Sequence, residues 1–364
     1  MSEYKCPSCG GNLAFDSASQ KLKCPFCDSV YELDQFETAA PGQMAGTMQQ
    51  GQETNNWNIQ SETQWQQEEE EGLRVCLCKN CSGEIVCDET TASSSCPYCG
   101  SPIVIEGMLS GMLKPDFIIP FKLDKKAAKE ALKKHVDSKA LVPAVFKNEN
   151  HINEIKGIYV PFWLFDAYVS ASIIYSGERT RTWSDSKYKY TEHNYYNIFR
   201  AGGAMFDQVP VNCSTKMAND LMESIEPFNC KEAVPFRPAY LAGYMADKFD
   251  STADACIQDA NARIRRSTED AFEQTVKGFT SVMPQSSQVN IENGIARYAL
   301  LPVWILNTKW KGNTYTFAMN GQTGKFVGDL PVDQGAYKKK ILILTAVFGV
   351  IATALMVLAD FMFL

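Results

Sequence analysis

The sequence has few of the residues that common enzyme classes require. Its three histidines, His135, His151 and His193, have no metal-ligand spacing among themselves. It contains neither a phosphate-binding G-x4-G-K-[ST] loop nor an H-E-x-x-H motif. Cys213, Cys230 and Cys256 are isolated, and an isolated cysteine is most often a buried thiol. We therefore predict that the chain is not an enzyme and has no small-molecule substrate.

Positive charge is scarce in the N-terminal third. Residues 1–107 contain 5 Lys/Arg and 16 Asp/Glu, whereas residues 108–364 contain 30 and 26. Nucleic-acid binding needs clustered Lys and Arg that replace phosphate counterions. The N-terminal third is therefore predicted to bind proteins or to be structural, and nucleic acid is not its expected partner.

Cysteine, by contrast, is abundant and forms a repeated pattern. The spacing C-x2-C-x14-C-x2-C occurs twice, and each cysteine of the second set lies 72 residues after its counterpart. This is the ligand spacing of a four-cysteine zinc ribbon, a closed site in which the metal stabilises the fold. We predict two structural Zn²⁺ ions, held by Cys6, Cys9, Cys24 and Cys27 in ribbon 1 and by Cys78, Cys81, Cys96 and Cys99 in ribbon 2.

Two further cysteines lie near the second set. The fixed offset selects Cys78 over Cys76, and Cys87 aligns with the non-ligand Phe15. Cys76 and Cys87 are therefore predicted to be spare thiols. Gly10 and Gly100 follow Cys-Pro-x-Cys turns, where a residue with positive φ is common.

The segment between the ribbons is predicted to be disordered. Residues 37–71 contain eight Gln and seven Glu but no Lys, Arg or Asp, so they cannot bury enough apolar surface to offset their ordering entropy. We assign 37–72 to this linker. Trp57 and Trp65 are exceptions, which either pack back on a ribbon or dock a partner.

Residues 108–335 are predicted to form an α+β core domain with an internal duplication. Tyr159–Asp166 can be laid on Leu300–Asn307, and the order strand, helix, long connection, Pro-aromatic strand occurs twice. Ser251 with Asp254 indicates a capping box for the second helix. The predicted ranges are 116–121 and 239–246 for the strands, 124–138 and 252–277 for the helices, and about 114–200 and 235–330 for the two halves.

The C-terminal segment 336–364 is predicted to be a transmembrane anchor. The run 341–359 has no charged residue, and nineteen helical residues span about 29 Å, which matches a hydrocarbon core of about 30 Å. Lys338, Lys339 and Lys340 precede the run and are expected to stay on the cytoplasmic side. The chain opens without a signal peptide, and a reducing compartment suits its cysteine usage. These features predict a tail-anchored, single-pass protein of the cell membrane with cytoplasmic N-terminal domains.

The resulting fold class is multidomain. It comprises two small β zinc ribbons at 1–36 and 73–107, the α+β core and one C-terminal transmembrane helix. An alternative function rests on cations and aromatics that alternate within the core, a pattern that can stack on single-stranded nucleic acid but also fits an edge strand with an exposed basic face. These residues are Arg179, Arg181, Lys187, Tyr188, Lys189, Tyr190, Tyr195, Tyr196 and Arg200.

The Cys-Pro-x-Cys turns, the Tyr159–Trp163 and Leu301–Trp304 motifs and the C-terminal span together resemble a bacterial family, the membrane-anchored proteins with TFIIB-type zinc ribbons. Some of its members carry a helicase-like or primosomal label, for which this sequence has no ATP-binding loop. Relatives are often encoded beside SPFH/band-7 proteins and phage-shock-type membrane-stress proteins. The resemblance implies a non-enzymatic adaptor or scaffold whose ribbons bind such partners in a membrane-stress or membrane-maintenance complex.

Overall fold

The computed structural model describes residues 4–36, 57–61, 65, 73–88, 95–101, 103–107 and 113–363. Most of the predicted linker 37–72 lies outside these residues. The strands and helices are β1 (Ala14–Asp16), β2 (Lys21–Lys23), β3 (Val30–Tyr31), β4 (Trp57–Ile59), β5 (Leu73–Leu77), β6 (Glu84–Asp88), β7 (Val104–Gly107), β8 (Phe117–Ile118), α1 (Lys125–Asp137), α2 (Glu149–Ile152), β9 (Lys156–Ser184), β10 (Lys189–Asn212), α3 (Asn219–Ser224), β11 (Val234–Pro235), β12 (Met245–Asp247), α4 (Ala253–Glu273), β13 (Ser281–Trp310), β14 (Asn313–Asn320), β15 (Phe326–Gly328) and α5 (Gln334–Phe363).

Two very long strands organise the core. β9 and β13 pair antiparallel over almost their whole length, from Ser281 opposite Glu178 to Ile305 opposite Lys156. They lie in the middle of a twelve-stranded sheet in the order β11-β8-β13-β9-β12-β6-β5-β7, to which β4, β10, β14 and β15 add further pairings. Residues 158–165, near the start of β9, and residues 298–306, near the end of β13, are buried on both faces, so this part of the sheet runs through the middle of the core.

The structure supports the predicted duplication. Val160 pairs with Leu301, and these two residues hold equivalent positions in the two Pro-aromatic motifs, so an approximate two-fold axis passes between them. β12 runs parallel to β9 where Met245 faces Ile158, and β8 runs parallel to β13 at the equivalent place. β12 and α4 each begin 128 residues after β8 and α1. The core therefore consists of two related α+β units, β8-α1-β9-β10 and β12-α4-β13-β14.

The two main helices begin in the same way. Asp124 caps α1 by accepting a hydrogen bond from the Ala127 amide at 2.7 Å. Thr252 caps α4, so the predicted capping box at Ser251 is wrong by one residue. The reason lies in the preceding carbonyl: Ser251 O accepts from the Trp163 indole at 3.1 Å, as Leu123 O accepts from the Trp304 indole at 3.0 Å in the other half.

Ribbon 2 is not a separate module. β5 pairs with both β6 and β7, and β6 continues into the core sheet because Val86 pairs with Ala246 of β12. The predicted boundary at 107 therefore cuts through a continuous sheet. The cysteine spacing predicts the ligands of ribbon 2. It cannot predict that β6 pairs with a strand about 160 residues later, because no residue near β6 indicates that partner.

Ribbon 1 has its own three-stranded sheet, β1-β2-β3, yet it packs against the core. The Phe15 amide donates to Ala242 O at 3.0 Å, and the Phe15 ring meets Tyr240 edge-on at 5.2 Å. Arg237 forms an ion pair with Asp34. Ribbon 1 is therefore docked on the turn that precedes β12.

Two parts of the predicted linker are ordered, which corrects the prediction of disorder at 57–61 and 65. β4 pairs parallel with β13, and the Trp57 indole donates to Asn261 and packs on Phe165 at 4.9 Å. Trp65 is buried against Phe236. An indole ring gains much free energy from burial because its apolar area is large, whereas the Gln and Glu side chains around it gain little. Both tryptophans therefore pack into the protein's own core. Neither is a free docking group for a partner.

Candidate metal centres and the surfaces beside them

The four turns that carry the predicted ligands share one backbone geometry. In each turn the first cysteine's amide donates to the carbonyl five residues later, and its carbonyl accepts from the amide four residues later. The residue in that fourth position has a positive φ in every turn, as predicted for the two glycines. These four residues are Gly10, Asp28, Ser82 and Gly100.

Each group of four cysteines converges on one point. The sulfur atoms of each group lie within 4.8 Å of one another, with distances of 3.5 Å for Cys6–Cys27 and 3.4 Å for Cys78–Cys99. A tetrahedral ion with Zn–S bonds of about 2.3 Å requires sulfur atoms about 3.8 Å apart. Both groups therefore fit one ion each, and zinc matches a ligand set made of thiolates. Four protein ligands leave no coordination position open for substrate.

The two sites differ in their exposure. Cys9 and Cys27 of ribbon 1 are exposed, whereas Cys81 and Cys99 of ribbon 2 are half-buried. Solvent and chelators therefore have a shorter path to the first site.

Ribbon 2 is held on the core through its last turn. The Asn307 side-chain amide donates to Pro97 O at 2.7 Å and to Tyr98 O at 2.8 Å. Thr316 fixes the orientation of that amide by donating to its oxygen at 2.6 Å. The alignment of the two Pro-aromatic motifs makes Asn307 the counterpart of Asp166. Nothing near Asn307 in the sequence indicates that it holds ribbon 2.

Two core lysines also contact the backbone of ribbon 2. Lys216 Nζ donates to Cys81 O at 3.0 Å, and Lys156 Nζ donates to the backbone and hydroxyl oxygens of Ser95. A site with four thiolates and one divalent ion carries a net charge of −2, so two nearby ammonium groups are favourable.

A buried carboxyl lies beneath the same turn. Asp247 on β12 is 2 % exposed and accepts from the Ser214 hydroxyl. Burial raises the pKa of Asp247 to about 7. The Tyr98 hydroxyl lies close by, and burial together with the charge of Asp247 raises its pKa well above the ordinary value. Sequence inspection did not single out Asp247, because its burial depends on β12 lying between β9 and β6.

The equivalent turn of ribbon 1 is open. Phe26 lies 72 residues before Tyr98 and occupies the same place, since Phe26 lies over Gly11 as Tyr98 lies over Gly83. Tyr98 faces the core, but Phe26 is 75 % exposed and Val30, four residues later in the sequence, is 47 % exposed. Two copies of one turn thus differ in whether the protein itself covers the aromatic ring.

The other cysteines are buried. Cys76 and Cys87 form a disulfide between β5 and β6, with Cα atoms 6.8 Å apart, so the prediction of two spare thiols is corrected. Strand pairing brings them together although eleven positions separate them. Burial raises the pKa of Cys213 well above its ordinary value, that of Cys230 to about 12 and that of Cys256 to about 11, which disfavours the nucleophilic thiolate.

The basic and aromatic residues lie on the projecting hairpin of β9 and β10 but do not form one surface. Arg179 lies over the rings of Tyr196 and Phe279, and Arg181 lies over Trp183. Tyr195 points to the opposite face, because neighbouring strand residues alternate. Arg200 is engaged with Thr275.

The predicted anchor falls in α5, which begins just after Asp333 accepts from the amides of Gly335 and Ala336. Lys338, Lys339 and Lys340 are exposed on its first turns. The side chains of the last residues of the run 341–359 lie outside the described residues. Across the part of the chain that is described, no helix is long and apolar enough to cross a membrane.

The fold and the two sites define a protein in which two four-cysteine groups, each able to hold one metal ion, are built on an α+β core. The chain is 30 % identical over 332 residues to the uncharacterized protein YdjG of Bacillus subtilis (strain 168), an alignment that covers 91 % of each chain. It therefore belongs to the same family as YdjG. No family model matches the chain, and no solved structure matches it.

Proposed function

We propose that the chain is a non-enzymatic adaptor of the cell membrane, in which ribbon 1 binds a protein partner and ribbon 2 serves the fold. The observation that carries the proposal is the contrast between Phe26 and Tyr98. Ribbon 2 uses its last turn to dock on a protein surface, which happens to be its own core. Ribbon 1 presents the same turn with its aromatic ring 75 % exposed.

The docking of ribbon 2 indicates what a partner of ribbon 1 would offer. Asn307 supplies two hydrogen bonds to the carbonyls of Pro97 and Tyr98, whose counterparts in ribbon 1 are Pro25 and Phe26. A partner would present a side-chain amide or hydroxyl donor beside an apolar depression for the Phe26 ring. A ring buried in this way is the kind of anchor that dominates interface energetics.

The membrane part of the proposal rests on the C-terminal sequence. In the sequence the run 341–359, whose last side chains lie outside the described residues, has no charge and as one helix would match a hydrocarbon core, and Lys338–Lys340 would then keep the ribbons on the cytoplasmic side. The family resemblance suggests SPFH/band-7 or phage-shock-type membrane proteins as partners, within a membrane-stress or membrane-maintenance complex.

Crosslinking in native membranes tests the partner-binding claim. Full-length tagged protein is crosslinked, purified and compared with the Phe26→Ser variant and with the Cys24→Ser/Cys27→Ser variant. Tyr188→Ser is the matched control, since it removes an equally accessible aromatic, 64 % exposed, from a different surface. We expect both ribbon variants to lose the same attached protein and the control to keep it. Unchanged partners in the Phe26 variant would refute the assignment of this turn.

A second candidate function, membrane-tethered nucleic-acid binding, is favoured by one observation. The stacked cations Arg179 and Arg181 lie on the same side of the β9–β10 hairpin as Trp183 and Tyr190, whose rings stack at 5.7 Å. Binding of single-stranded oligonucleotides should then fall steeply with salt, because phosphate contacts release counterions. A salt titration that shows no binding at low ionic strength would remove this candidate.

A further inference from the structure

The projecting part of the sheet has one covered and one uncovered face. Between Tyr168 and Glu178, β9 lies between β10 and the N-terminal half of β13. The odd-numbered residues of β9, such as Val169, Ile173 and Tyr175, are buried, and they belong to the clusters that Ile264 and Phe272 of α4 help to form.

The even-numbered residues of β9 and their cross-strand neighbours form the opposite face, which we call the outer face. In the pairs from Tyr168–Met205 to Glu178–Tyr195, several large apolar side chains point outward. They are 39 to 69 % exposed, and no described element covers them. These residues are Tyr168, Ile174, Tyr195, Phe199, Met205 and Met283.

The size of this apolar surface exceeds what a monomer usually exposes. A large side chain has roughly 200 Å² of accessible surface, so the six exposed fractions amount to roughly 700 Å². The largest apolar patch of a typical monomer is about 300–600 Å². Stable protein interfaces bury about 600–1,000 Å² on each partner, and the apolar part of the outer face alone falls within that range.

The charges of the outer face select the kind of partner. In the rows from 168 to 182, the outward positions of the three strands contain no Lys or Arg. Glu178 is paired with His193, and Glu292 accepts from the Ser170 hydroxyl at 3.0 Å. A surface without cations is a poor match for anionic lipid or nucleic acid. It does not repel a copy of itself.

The shape of the outer face also suits self-association. Ser172 and Ala201 form a row of small residues. On one side of that row the Tyr168 ring leans over Gly203, and on the other side Ile174 and Phe199 form a ridge. A two-fold rotation places the ridge of one copy against the small row of the other, as an isologous interface requires.

We propose that the outer face binds the same face of a second copy, giving a two-fold symmetric dimer. This inference is independent of the proposed adaptor role, because it involves neither ribbon and makes no use of the C-terminal run. Its partner is the chain itself, so the test needs no other component of the cell.

Sedimentation of the full-length protein in density-matched detergent tests the proposal. We expect a dimer whose dissociation constant rises by at least about 100-fold in the Phe199→Ser/Met205→Ser variant, because two central apolar side chains are lost from each copy. The matched control, Tyr188→Ser/Tyr190→Ser, removes exposed aromatics from the tip of the same hairpin and should leave the dissociation constant unchanged. A monomeric wild type at tens of micromolar, or a dimer that the first variant does not weaken, would overturn the proposal.

A photo-crosslinking measurement keeps the test independent of any effect on folding. A benzophenone side chain replaces Tyr195, which is 69 % exposed on the outer face, or Tyr188 as the control. We expect a product of twice the chain mass from position 195 and none from position 188. Crosslinks from position 195 to lipid alone would contradict the dimer and assign the face to the membrane.

Discussion

The buried carboxyl of Asp247, beneath the last turn of ribbon 2, makes the free energy of unfolding depend on pH. Its pKa is about 7 in the folded protein, against the 3.8 that is ordinary for an aspartate, so folding favours the protonated form. The folded state therefore binds more protons than the unfolded state between these two values, and the free energy of unfolding falls as the pH rises through that window. Above pH 7 the full penalty is present.

The size of the effect follows from the two pKa values. Raising the pKa from 3.8 to about 7 lowers the unfolding free energy by about 4 kcal/mol at high pH, of which about 1 kcal/mol develops between pH 6 and pH 8. The Asp247→Asn variant cannot carry the charge. We therefore expect the difference in unfolding free energy, variant minus wild type, to increase by about 1 kcal/mol from pH 6 to pH 8.

Urea denaturation of zinc-saturated protein at pH 6 and pH 8, followed by tryptophan fluorescence, measures this difference. Comparing two pH values cancels the loss of the Ser214 contact, which is present at both. Asp137→Asn, the same change at an exposed position at the end of α1, is the matched control. A difference that is independent of pH, or that decreases with rising pH, would refute the assignment of a protonated carboxyl beneath ribbon 2.

Three further predictions follow from the packing. Asn212→Leu and Asn320→Leu should each lower the unfolding free energy by about 3 kcal/mol, because each amide bonds several backbone groups in equivalent places of the two halves; urea titration giving less than about 1 kcal/mol for either would contradict it. A chelator should remove zinc in two phases, the faster from ribbon 1. The fast phase should be absent from the Cys24→Ser/Cys27→Ser variant. A single phase from the wild type would disagree with the unequal exposure of the ligands. The Cys96→Ser/Cys99→Ser substitutions should lower the urea midpoint of the core, because ribbon 2 is continuous with the main sheet. The Cys24→Ser/Cys27→Ser substitutions should leave that midpoint nearly unchanged. Equal effects of the two variants would contradict the continuity.

The parts of the structure that depend on local spacing could be predicted from the sequence. The eight cysteines converge as their repeated turns indicate, and helices occur at Lys125–Asp137 and Ala253–Glu273, where apolar residues recur with helical period. The internal duplication could also be predicted from the similarity of the two Pro-aromatic motifs. In the structure these two motifs pair with each other at the centre of the sheet.

Features that depend on distant partners could not be predicted. β4 is a strand because Trp57 packs on Phe165, beside Gly294, where a Cβ atom would collide with the indole ring, and nothing near Trp57 in sequence announces either neighbour. Tyr98 and Phe26 are chemically similar and sit in equivalent turns, yet only one meets an amide such as that of Asn307. The difference lies in the surface opposite each turn.

The central claim is that this chain holds two zinc ions, one in a ribbon fixed to the core and one in a ribbon open to a partner. Native mass spectrometry of the full-length protein measures it most directly. We predict two zinc ions per chain in the wild type and one in the Cys24→Ser/Cys27→Ser variant. A wild type without bound metal, or a variant that still holds two ions, would contradict the account.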